Sequence, residues 1–357
     1  MLLYNNGQLN QFYQKCQKDK IIAIDTEFHR VDTYYPKLCL LQLANTSETI
    51  ILDPVEESLN KNFIKKILYN TKIKKILHAG RQDVEIFFNM FGKVPRPIID
   101  TQICIMPLGY SNSASYATIC LDFLNVKINK SNQFIDWRVR PLSKDKINYA
   151  ISDAKYLIPL YKIITSKLNA LNRKLWIKEM HQRLLSENIF LNKKKLAWKK
   201  IDFNPKNNYE LKLLKKVCET RENFAMKENV PVKRILSNSE IKKICNSNSR
   251  LSAKNTIIKR ISNKLFKKEI VQILRNKPKD GDLINYKLKN KIDFKKREIL
   301  KKLKNIILKK SQALNFHPNL IASNDDLREM VLGKKNIFNG WKYEIFKKEC
   351  AELKKIL

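Results

Sequence analysis

Along the first 165 residues, short apolar runs alternate with segments whose apolar positions recur every three or four residues. KIIAIDTE, LCLLQLA and ETIILD are continuous β-rich runs bounded by polar turns, and they predict three consecutive strands. LNKNFIKKILYN has helical periodicity and leads into another strand-like run, KKILHA. VEIFFNMF is again helical and ends near Gly92, and PRPIIDT predicts a last short strand. Consecutive strands followed by mixed helices predict an α/β domain built on a mixed sheet.

Beyond residue 165 the strand signals stop and Lys-rich helical patterns take over, as in KLLKKVCETRENFAMK and FKKREILKKLKNIILKKSQAL. This half carries a weak repeat. RENFAMKENVPVKRILSNSEIKKIC and KSQALNFHPNLIASNDDLREMV each read as a helix ending near an alanine (Ala225, Ala313), a loop with a proline (Pro231, Pro318) and a Ser-Asn start to a new helix. Ser237 with Glu240, and Ser323 with Asp326, have the spacing of a capping box, in which hydroxyl and carboxylate each satisfy an orphan backbone N–H. Two small helical domains in tandem follow from this pattern. Residues 166–205 read as a connecting helix and linker, and the Lys-rich stretch around 277–291 as the join between the copies.

At 357 residues the chain can hold two or three domains with real cores. No stretch approaches the roughly 20 apolar residues of a membrane span, and MLLYNNGQLNQFYQK lacks the pattern of a secretion signal. Seven scattered cysteines without a CxxC suggest reduced thiols and a cytoplasmic protein. The net charge of +37 changes the picture most, because most of the excess lies in the helical half. Lysine and arginine displace counterions from phosphates, so this half reads as a nucleic-acid-facing module. Compositional drift on solvated faces is the competing account, in a chain rich in Lys, Asn and Ile.

Candidate chemistry starts in IIAIDTEFHR. Residues two apart in a strand share a face, so Asp25 and Glu27 stand side by side, either solvated at a strand end or held by a cation. Asp83 follows a strand-like run near a helix start, where the helix dipole favours a carboxylate. Tyr149 and Asp153 are four apart on a helical pattern and share its face. Converging, the four acids would repel strongly unless divalent cations turned repulsion into ligation. Oxygen donors without nearby His or Cys suit two Mg²⁺ or Mn²⁺ ions, the arrangement that stabilises attacking and leaving oxygens in phosphodiester cleavage.

DTEF, TYYPKLCLLQLA, HAGRQDVEIF, DTQI, DWRVRPLS and YAISDAKYL together closely resemble the ribonuclease D family of the DEDD 3′→5′ exonuclease superfamily, over nearly the whole chain. The resemblance implies an RNase H-like α/β exonuclease domain over 1–168, a helical linker over 169–205, and two all-α HRDC-like domains over 206–282 and 290–357. It places Asp25 and Glu27 in the first motif, Asp83 in the second and Asp153 in the third. Tyr149 marks the tyrosine branch, since the histidine branch would need His where Asn148 stands.

It also implies that Asp25 touches both ions, that Glu27 and Asp153 hold the nucleophile-side ion, and that Asp83 reaches the other largely through water. Tyr149 would orient the attacking water, and Phe28 would pack near the terminal nucleotide or serve as a core residue. His78 reads as a structural histidine, Trp137 falls inside a matching motif, and Arg138 and Arg140 either touch phosphate or brace their loop. Ser115 departs from the family, which has a glycine before the aromatic there. The implied activity is metal-dependent 3′→5′ exoribonuclease action on tRNA precursors or other structured RNA 3′ ends, releasing nucleoside 5′-monophosphates, with no obligate protein partner evident. A 3′→5′ DNA exonuclease and a catalytically idle RNA-binding protein are the alternatives.

Overall fold

A computed structural model of the chain describes residues 5–56, 60–129, 135–191, 193–246, 248–275 and 293–349. The chain divides into two compact units, one of Met1–His29, Leu38–Ser186 and Ile292–Leu357, the other of Arg30–Lys37 and Glu187–Lys291.

The first unit is built on a five-stranded mixed sheet in the order β3-β2-β1-β4-β5. The strands are β1 (Ile21–His29), β2 (Lys37–Ala44), β3 (Thr49–Leu52), β4 (Lys74–Leu77) and β5 (Ile98–Asp100). β1 runs parallel to β4, and β4 to β5, whereas β2 and β3 form an antiparallel pair. Helix α1 (Asn6–Asp19) leads into β1, α2 (Lys61–Tyr69) joins β3 to β4, and α3 (Arg81–Phe91) joins β4 to β5. α4 (Thr101–Cys104), α5 (Tyr116–Leu124), α6 (Lys144–Lys155) and α7 (Leu157–Ala170) follow. The expected elements are in place, including the end of α3 at Gly92, whose φ of 69° is the left-handed cap a glycine adopts without strain.

β1 is central, so its first four residues are buried on both faces. Ile21 and Ala23 meet Ala154, Leu157 and Ile158 from α6 and α7, with Ala44 of β2 and Ile76 of β4 in the same cluster. Three alanines at this contact let the α6–α7 corner lie close to the sheet. Lys75 of β4 is wholly buried and donates from Nζ to the carbonyls of Asn70 (2.6 Å) and Arg96 (2.8 Å).

Each helical copy starts its capped helix with a complete capping box, Ser237 with Glu240 and Ser323 with Asp326, as the spacing predicts. The copies fall in different units. The first copy, with its long helix Asn208–Glu228, makes the core of the second unit around Leu214, Val217, Ile241 and Phe266. The second, with its long helix Phe294–Ala313, shares a core with the first unit, where Met106 joins Leu303, Phe316 and Phe346. Trp176 stacks on Trp341 there at 4.8 Å. The Lys-rich stretch around 277–291 lies outside the described residues. Among the described residues, no helix is long and apolar enough to cross a membrane.

Candidate active site

β1 is paired with β4 over Ile21–Ala23, and Asp25 and Glu27 lie just beyond, at the carboxyl end of the parallel strands. Loops and helix starts converge at this end of an open α/β sheet, which makes it the usual place for a ligand. Alternation sends both acids to the face that Ile21 and Ala23 present to α6. Ser143 caps α6 by accepting from the backbone N–H of Lys146, fixing the start of the helix that carries Tyr149 and Asp153. Carboxylate oxygens of Asp25, Glu27 and Asp153 lie within 4.8 Å of one another. The Tyr149 hydroxyl donates to Asp153, and its ring packs 5.9 Å from that of buried Trp137.

Asp83 arrives from α3. It occupies the first turn, is 6% exposed, and accepts a hydrogen bond from the Thr26 hydroxyl, which leaves β1 on the face opposite Asp25 and Glu27. The turn before α3 is tight, with Ala79 at a φ of 54°. Asp100, at the end of β5, holds it by accepting from the backbone N–H groups of Ala79 (3.0 Å) and Gly80 (2.9 Å). The backbone N–H of Asp100 in turn donates to Nε2 of buried His181 at 2.8 Å.

Charge accumulates here. Burial first, then the negative charges of Asp83, Asp153 and Glu27, hold the Asp25 carboxyl well above the usual carboxylate range. Burial, with Asp153 and Asp83, raises Glu27 to about 9. Burial raises Asp153 to about 7 against the Tyr149 hydrogen bond, and Asp83 to about 6 against the Thr26 hydrogen bond. The Tyr149 phenol is pushed up by burial, then by Asp153 and Glu27. Carboxyl groups destabilised by one another, with oxygen donors close enough to share an ion, fit a divalent cation.

The other expected residues have definite places. Phe28 is half-buried on β1, on the opposite face from Asp25 and Glu27 by alternation. His78 has both ring nitrogens 3.0 Å from oxygen partners, Thr101 Oγ1 and the Ala114 carbonyl, as a structural histidine should. Arg140 braces its loop, pairing with Asp53 at 2.5 Å and donating to the carbonyls of Trp137 and Cys39. Arg138 pairs with Asp136 at 2.8 Å. Ser115, where a glycine was expected, caps α5 by accepting from the Thr118 N–H. Thr26 and Asp100 lie within DTEF and DTQI but carry no signal of their own in the sequence. Only the fold shows what they hold.

Residues 2–169 match the family described as 3′-5′ exonuclease. A ribonuclease D from Bartonella henselae is 30% identical over 356 residues, covering 94% of this chain and 85% of the relative. A ribonuclease D from Sphingobium indicum is 29% identical, covering 99% of this chain and 94% of the relative. The crystal structure of Escherichia coli RNase D, described as an exoribonuclease involved in structured RNA processing, superposes with a TM-score of 0.82. It is 22% identical, and the match covers 99% of this chain and 98% of that one.

Proposed function

The chain belongs to the ribonuclease D family and is a 3′→5′ exoribonuclease, and from that premise we propose that it trims the 3′ ends of structured RNA, tRNA precursors among them, in the cytoplasm. The observation that carries the reading is the approach of Asp25, Glu27 and Asp153 to within 4.8 Å beside Tyr149, with Asp83 raising the charge further.

Asp25, Glu27, Asp83 and Asp153 would hold two Mg²⁺ or Mn²⁺ ions, with Asp25 shared between them. Bound there, the ions would supply charge stabilisation for the attacking and leaving oxygens. The hydroxyl of Tyr149 donates to Asp153, which leaves the phenol oxygen able to accept from the attacking water and hold it in line. Water adds to the phosphorus of the terminal phosphodiester and the O3′ of the penultimate nucleotide leaves. The products are a nucleoside 5′-monophosphate and a shortened chain with a 3′-hydroxyl. Trp137 packs behind Tyr149 and limits its movement. Phe28, half-buried on the other face of β1, would serve as a packing residue behind the acids and would not itself contact the terminal nucleotide.

Residues 1–168 would make the exonuclease domain, 169–205 the linker, and 206–282 and 290–357 two HRDC-like domains that hold RNA. The net charge of +37, concentrated in the helical half, supports that division of labour.

Incubation of the full chain with 3′-extended tRNA, short single-stranded RNA and matching DNA, each 5′-end-labelled, tests the reading. Mg²⁺ or Mn²⁺ should support stepwise shortening of RNA, and EDTA should stop it. Preferential shortening of DNA would make the protein a DNA exonuclease. Tight RNA binding with no shortening under any metal would make it an idle binding protein.

A further inference from the structure

Away from the acid cluster, and sharing no residue with it, the first unit holds a cleft of about 690 Å³. Its walls come from the segment after α4, from α5 and the end of α7, and from the corner after the helix Phe294–Ala313. We propose that this cleft is a second RNA-docking site, which takes an unpaired nucleotide of the substrate with its base against Tyr110 and Phe123 and its phosphate on Lys167. The proposal rests on the reading of the chain as an exoribonuclease and adds to it a contact outside the reaction centre.

The cleft is preformed. Arg173 ties its two sides together by donating to the carbonyls of Pro107 (2.6 Å), Leu314 (2.5 Å) and Asn315 (3.1 Å). The same guanidinium lies over the ring of Trp176, 4.8 Å from its centroid. Gly109, at a φ of 94°, permits the close approach of the two walls, since a Cβ there would run into the Asn315 side chain. Small-ligand sites occupy about 300–1,000 Å³, so the volume suits a nucleotide.

The lining selects a flat, anionic guest. The Tyr110 and Phe123 rings lie 5.4 Å apart at 38°. The Tyr110 hydroxyl donates to Asp122 at 3.0 Å, which fixes the ring and engages the nearby acid. Lys167 Nζ sits 5.8 Å from the Phe123 ring centre, so a base on the aromatic pair would bring its phosphate within reach of an ammonium. Leu171, 48% exposed, gives the opening an apolar lip that a hydrated ion would not fill. An aromatic surface beside a cation is the combination that binds single-stranded nucleic acid without reading its sequence.

Lys167→Glu and Leu171→Glu, both at exposed positions, test the site in the full chain. The substrates are a hairpin RNA with a long single-stranded 3′ extension and a diribonucleotide, whose one phosphodiester is taken up at the acid cluster. Each variant should raise KM for the hairpin at least about five-fold, from loss of one phosphate contact or of stacking, with kcat unchanged. Turnover of the diribonucleotide should stay at the wild-type rate, and Lys167→Arg should restore the hairpin KM. 4-Thiouridine placed in the hairpin extension should crosslink to Tyr110 or Phe123 in the wild type and much less in the variants. An unchanged hairpin KM, an equal loss on both substrates, or crosslinks only at other residues would overturn the site while the wild type remained active. A wild type that shortened neither RNA would overturn the exoribonuclease reading instead, and this site with it.

Discussion

Asp100 accepts a hydrogen bond from the backbone N–H of Gly80 at 2.9 Å, tying the end of β5 to the N-cap of the helix that carries Asp83. A second bond, from the Ala79 N–H, holds the residue with positive φ in the same turn. In Asp100→Asn one carboxylate oxygen becomes an amide NH₂ that faces a backbone donor, so the turn should loosen. We expect kcat to fall about ten-fold and the Mg²⁺ concentration for half-maximal rate to rise, with KM for RNA little changed. A variant that lost thermal stability but kept its Mg²⁺ dependence and kcat would reduce Asp100 to a structural role.

Asp25→Asn removes one charge from the centre of the acid cluster while nearly keeping its shape. Hydrolysis should fall by several orders of magnitude, beyond the roughly 10²–10⁴ usual for a single general acid or base. RNA affinity measured in Ca²⁺ should change little. Near-normal turnover would rule out Asp25 as the shared ligand.

Tyr149→Phe keeps the packing on Trp137 and deletes the hydroxyl that donates to Asp153. An interaction made mainly in the transition state shows as a loss of kcat with KM roughly unchanged, and that is the expected result. A rise confined to KM would make Tyr149 a substrate-packing residue.

Much of the site could be read in the sequence because its chemistry sits on local patterns. Asp25 and Glu27 share a face by strand alternation, Tyr149 and Asp153 by helical spacing, and Ser237 and Ser323 announce their helices by capping. What stayed hidden depends on residues distant in the chain. Asp100 grips a turn 20 residues earlier in sequence. Arg140 is spent on Asp53 and backbone carbonyls, which its motif left open. Met106 enters the core of the second helical copy, a pairing that no periodicity in either segment could reveal.

Lys75 gives a pH signature. Burial pulls its pKa from 10.5 down to about 7, so between those values the unfolded chain carries a proton that the folded chain has released. The unfolded state then binds more protons, and stability must rise as pH increases across that window. Below pH 7 the buried ammonium carries its full desolvation cost, offset in part by its two carbonyl acceptors. Lys75→Met should flatten this part of the profile, so the variant-minus-wild-type difference in Tm should be most favourable near pH 7 and shrink toward pH 10. A difference independent of pH would show that Lys75 stays charged in the fold.

The basic helical half makes the last prediction. Lys233, Arg234, Lys259 and Arg260 are exposed on the second unit. If they neutralise phosphates, each releases counterions on binding, and the slope of log Kobs against log[salt] carries about 0.7 per contact on single strands and about 0.9 on a B-form duplex. Replacing all four with Gln should therefore flatten the slope for a tRNA-like substrate by up to about three to four. The same change should leave turnover of a four-nucleotide RNA intact, because a substrate that short needs only the acid cluster. If the lysines are compositional drift on solvated faces, no counterions depend on them and the two slopes will coincide. Equal slopes would end the RNA-holding role of this surface while leaving the catalytic assignment untouched, since no residue in the quadruple variant belongs to the acid cluster.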